Sequence, residues 1–215
     1  MMTPGVRNTI IGCALFMALV LGLFVNNIVR TPGLSDDQLR DDYGTVVLPQ
    51  PRAPSPFRLI RDDGSPFTEA DLRGTWTLAY FGFTHCPDIC PVTLAVLGEA
   101  RRQLAESGDH APFDVALFTV DPERDTPEVL SEFVRYFHSE FVGVTGEHPV
   151  LATLARDVSV AFAKVPSAEE PDGYVVDHTG NIVIFNPRGH YHGYIRLPHT
   201  PERVLTAYRT LSERF

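Results

Sequence analysis

The run Trp76-Thr77-Leu78-Ala79-Tyr80-Phe81-Gly82-Phe83 is apolar almost without a break, and it ends in Thr84-His85-Cys86-Pro87-Asp88-Ile89-Cys90-Pro91. An apolar run of that length reads as a buried strand. From Pro91 onward, Val92, Val96, Leu97, Ala100 and Leu104 recur at helical spacing, so strand must give way to helix within a few residues and both cysteines sit at the turn. Proline suits the first helical position, where a missing N–H costs nothing, and this places Cys90 at or near the cap. A thiolate there gains from the positive end of the helix dipole, which predicts a lowered pKa and a sulfur available as nucleophile or ligand. Two sulfurs separated by three residues meet on one turn, where they form a disulfide or hold one metal ion. A purely structural disulfide is the weaker reading, because closing so short a loop constrains the unfolded chain little.

The other elements follow from the same signals. Phe57-Arg58-Leu59-Ile60 alternates before the hairpin turn Asp62-Asp63-Gly64, and Thr68 to Leu72 reads as a short helical turn. Phe113 to Val120 is a second apolar strand. Thr126-Pro127-Glu128 opens a helix with Val129, Leu130, Phe133, Val134 and Phe137 on one face. A helix over Leu151 to Val158, a short strand over Ala161 to Val165 and a buried strand over Asn181 to Phe185 come next. Asn186-Pro187-Arg188-Gly189 turns the chain into His192 to Leu197, and Thr200-Pro201-Glu202 caps a last helix with Val204, Leu205, Tyr208 and Leu211 inward. Helices interleaved with strands imply an α/β fold whose central mixed sheet is flanked by helices.

Between Arg7 and Arg30 there is no charged residue, and Ile10 to Val25 is nearly all apolar, close to the ~20 residues that span a bilayer. The segment 1–30 is therefore expected to be an N-terminal membrane anchor, a transmembrane helix rather than a cleaved signal, since no small-x-small site precedes Asn26-Asn27. Cys13 lies inside the apolar run and is expected to face lipid or pack. A mitochondrial leader would be longer, amphipathic and richer in Arg and Ser, so a bacterial inner membrane with the globular part in the periplasm is favoured. Residues 31–56, with Pro32, Pro49, Pro51, Pro54 and Pro56 and no sustained apolar period, read as a proline-rich tether. The folded domain is then 57–215. A net charge of -9 without a basic patch excludes nucleic acid as a partner.

Three blocks, Phe83-Thr84-His85-Cys86-Pro87-Asp88-Ile89-Cys90-Pro91, Asp121-Pro122-Glu123-Arg124-Asp125-Thr126 and Val176-Asp177-His178-Thr179, resemble in order and spacing those of the Sco/SenC proteins, copper-delivering assembly factors of cytochrome c oxidase. The resemblance runs from about Phe57 to the C-terminus. It implies a thioredoxin-like fold with CxxxC in place of CxxC, and Cys86, Cys90 and His178 as copper ligands. By position alone His178 is an ordinary histidine at a strand end; only the block makes it a ligand. Two thiolates favour Cu(I), the added imidazole also suits Cu(II), and zinc with a water is the inorganic alternative.

The implied function is that of a copper chaperone, not an enzyme. It would deliver one copper to the dinuclear centre of cytochrome c oxidase subunit II and would itself be served by a periplasmic copper donor or thiol reductant. The competing reading is a thiol-disulfide oxidoreductase with Cys86 and Cys90 as redox-active thiols. A peroxidase, the third reading, needs a peroxide-activating pocket that the flanking prolines do not suggest. His85, His190 and His192 are expected to be solvated, Asp88 to bond local backbone at the turn, and Asp121 to Asp125 to serve as a structural loop.

Overall fold

The computed structural model describes residues 4–29, 33–168 and 173–215. Its chain divides into two compact units, Met1–Leu34 and Ser35–Phe215.

In the first unit, helix α1 covers Pro4–Val29, about 39 Å at the α-helical rise. Leu15, Phe16, Met17, Leu19, Leu21 and Phe24 stand exposed on it, and Cys13 is exposed too. Among the described residues no helix is long and apolar enough to cross a membrane. The side chains of Leu23 and Val25, both part of the expected span, lie outside the described residues.

The second unit is built on an eight-stranded mixed sheet in the order β1-β10-β9-β4-β5-β6-β2-β3. The strands are β1 (Thr45–Arg52), β2 (Arg58–Arg61), β3 (Pro66–Thr68), β4 (Thr77–Gly82), β5 (Asp114–Thr119), β6 (Val142–Thr145), β9 (Ile182–Phe185) and β10 (Tyr191–Ile195). The central trio β4, β5 and β6 is parallel, while β9, β10 and β1 continue on one side antiparallel and β2 and β3 on the other. Strands β7 (Phe162–Pro166) and β8 (Tyr174–His178) form a separate antiparallel pair. The helices are α2 (Asp36–Tyr43), α3 (Ile89–Ser107), α4 (Pro127–Phe137), α5 (His148–Asp157) and α6 (Pro201–Arg214). Thr126 and Thr200 cap α4 and α6 through their hydroxyls, each before a proline, as their sequences predict.

The apolar run that reads as a buried strand is the sheet's centre: every residue of β4 is buried, as is every residue of β9 beside it. Phe81 stacks on Phe118 with ring centroids 5.1 Å apart, and Phe67 meets Phe118 edge-on. Full burial of such side chains contributes ~1.5–3 kcal/mol each.

The tether expected over residues 31–56 is corrected by the structure. Ser35 caps α2 with a complete capping box, Leu39 on that helix is fully buried, and β1 pairs with β10 through Thr45↔Ile195, Val46↔Tyr194 and Val47↔Gly193. The prolines misdirect because β1 is an edge strand, where Pro49 and Pro51 need donate nothing to a further neighbour. At Gly193 any Cβ would collide with the Val46 carbonyl, so glycine is what lets β1 close onto the sheet.

Candidate metal centre

Strand β4 ends at Gly82, and the chain passes through Phe83 to Asp88 before α3 begins at Ile89. Cys90 is therefore the second helical residue and Pro91 the third, so Cys90 lies two residues past the cap position; Asp88 is the N-cap, exposed, and its carboxylate makes no capping bond. The burial of the two sulfurs differs. Cys90 is fully buried, whereas Cys86 is half-buried, and both are free thiols. A Cβ on Gly82 would lie 2.9 Å from Cys90 Sγ, so glycine at the strand end makes room for that sulfur.

His178 closes the site from the end of β8. Its Nε2 lies 3.5 Å from Cys90 Sγ, and its Nδ1 lies 3.3 Å from the Thr179 carbonyl. A proton held on Nδ1 by that carbonyl leaves the Nε2 lone pair facing the sulfurs, the usual arrangement of a ligating imidazole. Tyr80 and Phe83 meet the ring edge-on at 5.9 and 5.8 Å. One ligand atom each from Cys86, Cys90 and His178 lies within 4.8 Å of the others, a group able to hold a metal ion.

The electrostatics assign the thiolate to the other cysteine than the helix argument predicts. The Cys90 thiol donates to Cys86, which with further help from the backbone N–H groups of Asp88 and Cys90 holds Cys86 down to about 4 against its burial. The Cys90 amide lies 3.4 Å from Cys86 Sγ. Cys90, donor to that thiolate and buried beside its charge, is pushed well up. The helix N-terminus thus serves Cys86, whose sulfur its amides face, and not the residue embedded in its first turn.

The Asp121 to Asp125 block holds the other two blocks in place, a role its sequence does not disclose. Asp125 is fully buried and accepts from the Thr84 backbone N–H (3.2 Å), the Thr84 hydroxyl (2.5 Å) and the Thr119 hydroxyl (2.6 Å). Asp121 accepts from Arg124 (2.5 Å) and from the hydroxyl of Tyr174 (3.0 Å), the first residue of the strand that ends in His178. Arg124 also lies over the Tyr174 ring, 4.2 Å from its centroid. The available signal is positional: the block follows β5, the parallel neighbour of β4, and loops at the carboxyl ends of adjacent parallel strands meet.

Of the remaining histidines, His85 is exposed as expected, with Nδ1 3.1 Å from the Thr84 hydroxyl. His192 is not simply solvated; its ring packs edge-on against Trp76 at 5.1 Å and its Nδ1 lies 3.1 Å from the Asn186 amide. His190 is half-buried at the turn.

The sequence profile of the SCO1/SenC family matches residues 47–213. The chain belongs to the SCO1/SenC family. A curated SCO1/SenC relative, the mitochondrial SCO2 homolog of Mus musculus, is 33% identical over 207 residues, covering 96% of this chain and 79% of its own. Among solved structures, Arabidopsis thaliana ScoI with copper bound is 34% identical, with a TM-score of 0.70 over 75% of this chain and 99% of that one. Bradyrhizobium japonicum ScoI with copper bound is 31% identical, with a TM-score of 0.64 over 73% of this chain and 98% of its own. The central mixed sheet flanked by helices is the thioredoxin-like architecture of these Sco structures.

Proposed function

We propose that this SCO1/SenC protein binds one copper ion through Cys86, Cys90 and His178 and passes it to the dinuclear copper centre of cytochrome c oxidase subunit II. The family is one of cytochrome c oxidase assembly proteins, and the observation that carries the reading to this chain is the convergence of two sulfurs and one imidazole within 4.8 Å. Soft sulfur donors with a single imidazole suit copper in both its common oxidation states. Copper is cargo here. Cys86 arrives as a ready thiolate, Cys90 gives its proton to solvent when its sulfur becomes a ligand, and His178 donates through Nε2. The half-buried Cys86 is the ligand an acceptor thiol reaches first, so transfer proceeds by exchange at that edge.

The charge-free run between Arg7 and Arg30, carried on the 26-residue helix α1, supports anchoring in a bacterial inner membrane with the copper site on the periplasmic side. Tethering donor and acceptor to one membrane raises their effective concentration. Delivery by a periplasmic copper donor belongs to the same reading.

The second reading, thiol-disulfide exchange on the acceptor's cysteines, is favoured by one observation: a half-buried thiolate at Cys86 backed by a buried thiol at Cys90 is also the arrangement of an attacking and a resolving cysteine. An anaerobic Cu(I) competition titration of the reduced protein beside His178→Ala separates the two. One tightly held copper per wild-type chain, greatly weakened in the variant while dithiol exchange persists, supports the carrier. Absence of specific copper binding by the reduced wild type would leave only the exchange reading.

A further inference from the structure

Tyr80 is the bulkiest fully buried side chain in the strand that leads to the site, and its hydroxyl has no hydrogen-bond partner. Burying an unpaired hydroxyl costs about 1–3 kcal/mol, so its placement calls for a physical account. The ring meets His178 edge-on at 5.9 Å and stands perpendicular to His199 at 6.4 Å. It also runs beside Cys90. A single point, the Cβ that Gly82 lacks, is 2.9 Å from both Cys90 Sγ and Tyr80 Cε1.

Two polar side chains lie in the hydroxyl's surroundings, Cys90 and Thr93. Thr93 gives its one proton to His199, whose Nε2 faces the Ile195 carbonyl at 3.3 Å and whose Nδ1 accepts from the Thr93 hydroxyl at 3.0 Å, so the Thr93 oxygen keeps its lone pairs and is the competing acceptor. Cys90 is a free, buried cysteine here, and a thiol sulfur is a weak acceptor. In this state the hydroxyl makes no hydrogen bond to either. Binding a metal removes the Cys90 proton and makes that sulfur an anionic acceptor in a fully buried place, where charge-assisted hydrogen bonds are strongest.

We propose that Tyr80 is a positioning residue for the metal-bound state, its phenol O–H donating to the Cys90 thiolate once copper has replaced the thiol proton, so that it fixes that sulfur and withdraws electron density from it. The phenol keeps its proton throughout, and the only proton released is that of Cys90. The inference rests on the reading of Cys86, Cys90 and His178 as copper ligands. A neighbour that bonds a ligand rather than the metal commonly tunes affinity and electronics in this way.

The test compares the full-length protein with its Tyr80→Phe variant, each loaded with Cu(II). Phenylalanine keeps the ring contacts with His178, His199 and Gly82 and removes only the hydroxyl. The expected result is a thiolate-to-copper charge-transfer band shifted to longer wavelength, with one copper per chain in both proteins. The thermal midpoint of the metal-free variant should be unchanged or raised, since an unpaired buried hydroxyl has been lost. An unshifted band overturns the inference, and an unshifted band with a lowered metal-free midpoint assigns the hydroxyl to Thr93 instead. A wild-type protein with no thiolate-to-copper band at all overturns the copper reading together with this one.

Discussion

The carboxylate of Asp125 holds Thr84, forty-one positions earlier, by both its backbone N–H and its hydroxyl. Thr84 stands two residues before Cys86, so a fully buried acid in the loop after β5 fixes the chain that carries the half-buried sulfur. Removing the acid orphans three donors: the Thr84 N–H and the hydroxyls of Thr84 and Thr119. Asp125→Ala is expected to destabilise the fold by about 2–4 kcal/mol, the range for unpaired buried polar groups and broken networks. Asp125→Asn, which keeps an acceptor oxygen, should cost less. Urea unfolding of the three proteins checks the order, and a copper affinity that falls in the same order would link the loop to the site.

Cys86 is held down to about 4 chiefly by the thiol of Cys90, while Cys90 itself is pushed up. At pH 6 the reduced, metal-free protein therefore carries one thiolate and one thiol. Iodoacetamide at that pH is expected to label Cys86 and spare Cys90, with mass spectrometry of peptides as the readout. Because the Cys90 proton is the main cause of the low value, Cys90→Ala, which has no donor to offer, should slow Cys86 labelling at pH 6. Equal labelling of both cysteines in the wild type would contradict the assignment.

The fold's centre was legible because its strands are short, continuous apolar runs: Trp76 to Phe83 and Asn181 to Phe185 predict β4 and β9 to within two residues. What escaped was short or proline-bearing. Strand β6 is four residues including Gly143, and β1 carries Pro49 and Pro51, so neither shows the pattern a longer strand would. The three site residues came from sequence blocks, and the structure brings their ligand atoms together. The division of charge between the cysteines was not readable, because it depends on which sulfur the helix amides face, a matter of one turn of helix. Tyr80 was hidden inside an apolar run as one more core aromatic.

The pairing of β1 with β10 predicts where the second compact unit can begin. A chain starting at Ser35 retains the capping box of α2, the fully buried Leu39 and the edge strand. A chain starting at Phe57, the boundary the prolines suggest, loses all three. Loss of one large buried side chain alone costs about 2–5 kcal/mol, and for a chain of this size each kcal/mol moves the midpoint by roughly 2–4 °C. The Phe57 chain is thus expected to melt at least about 5 °C below the Ser35 chain, or to fail to fold. Equal midpoints by circular dichroism would show that β1 contributes no stability.

His199 gives the fold an acid-sensitive joint. It is 9% exposed, receives a hydrogen bond from Thr93 on α3 and faces the Ile195 carbonyl of β10, so the neutral ring satisfies both neighbours. Burial, with the nearby positive charge of Arg203 adding to it, lowers its pKa to about 4 from an ordinary 6.5. The unfolded chain therefore takes up the proton first as pH falls. The stabilisation from the neutral ring is complete above pH 6.5, is lost progressively between 6.5 and about 4, and changes no further below that. The whole effect is on the order of 3 kcal/mol. His199→Gln offers one acceptor to Thr93 and one donor to Ile195 without a titrating group. It should flatten the pH profile of unfolding free energy across that window while costing little at pH 7. A variant whose profile falls as steeply as the wild type's would place the acid sensitivity elsewhere, and a large loss at pH 7 would mean that the imidazole shape, not its charge state, is what α3 and β10 require.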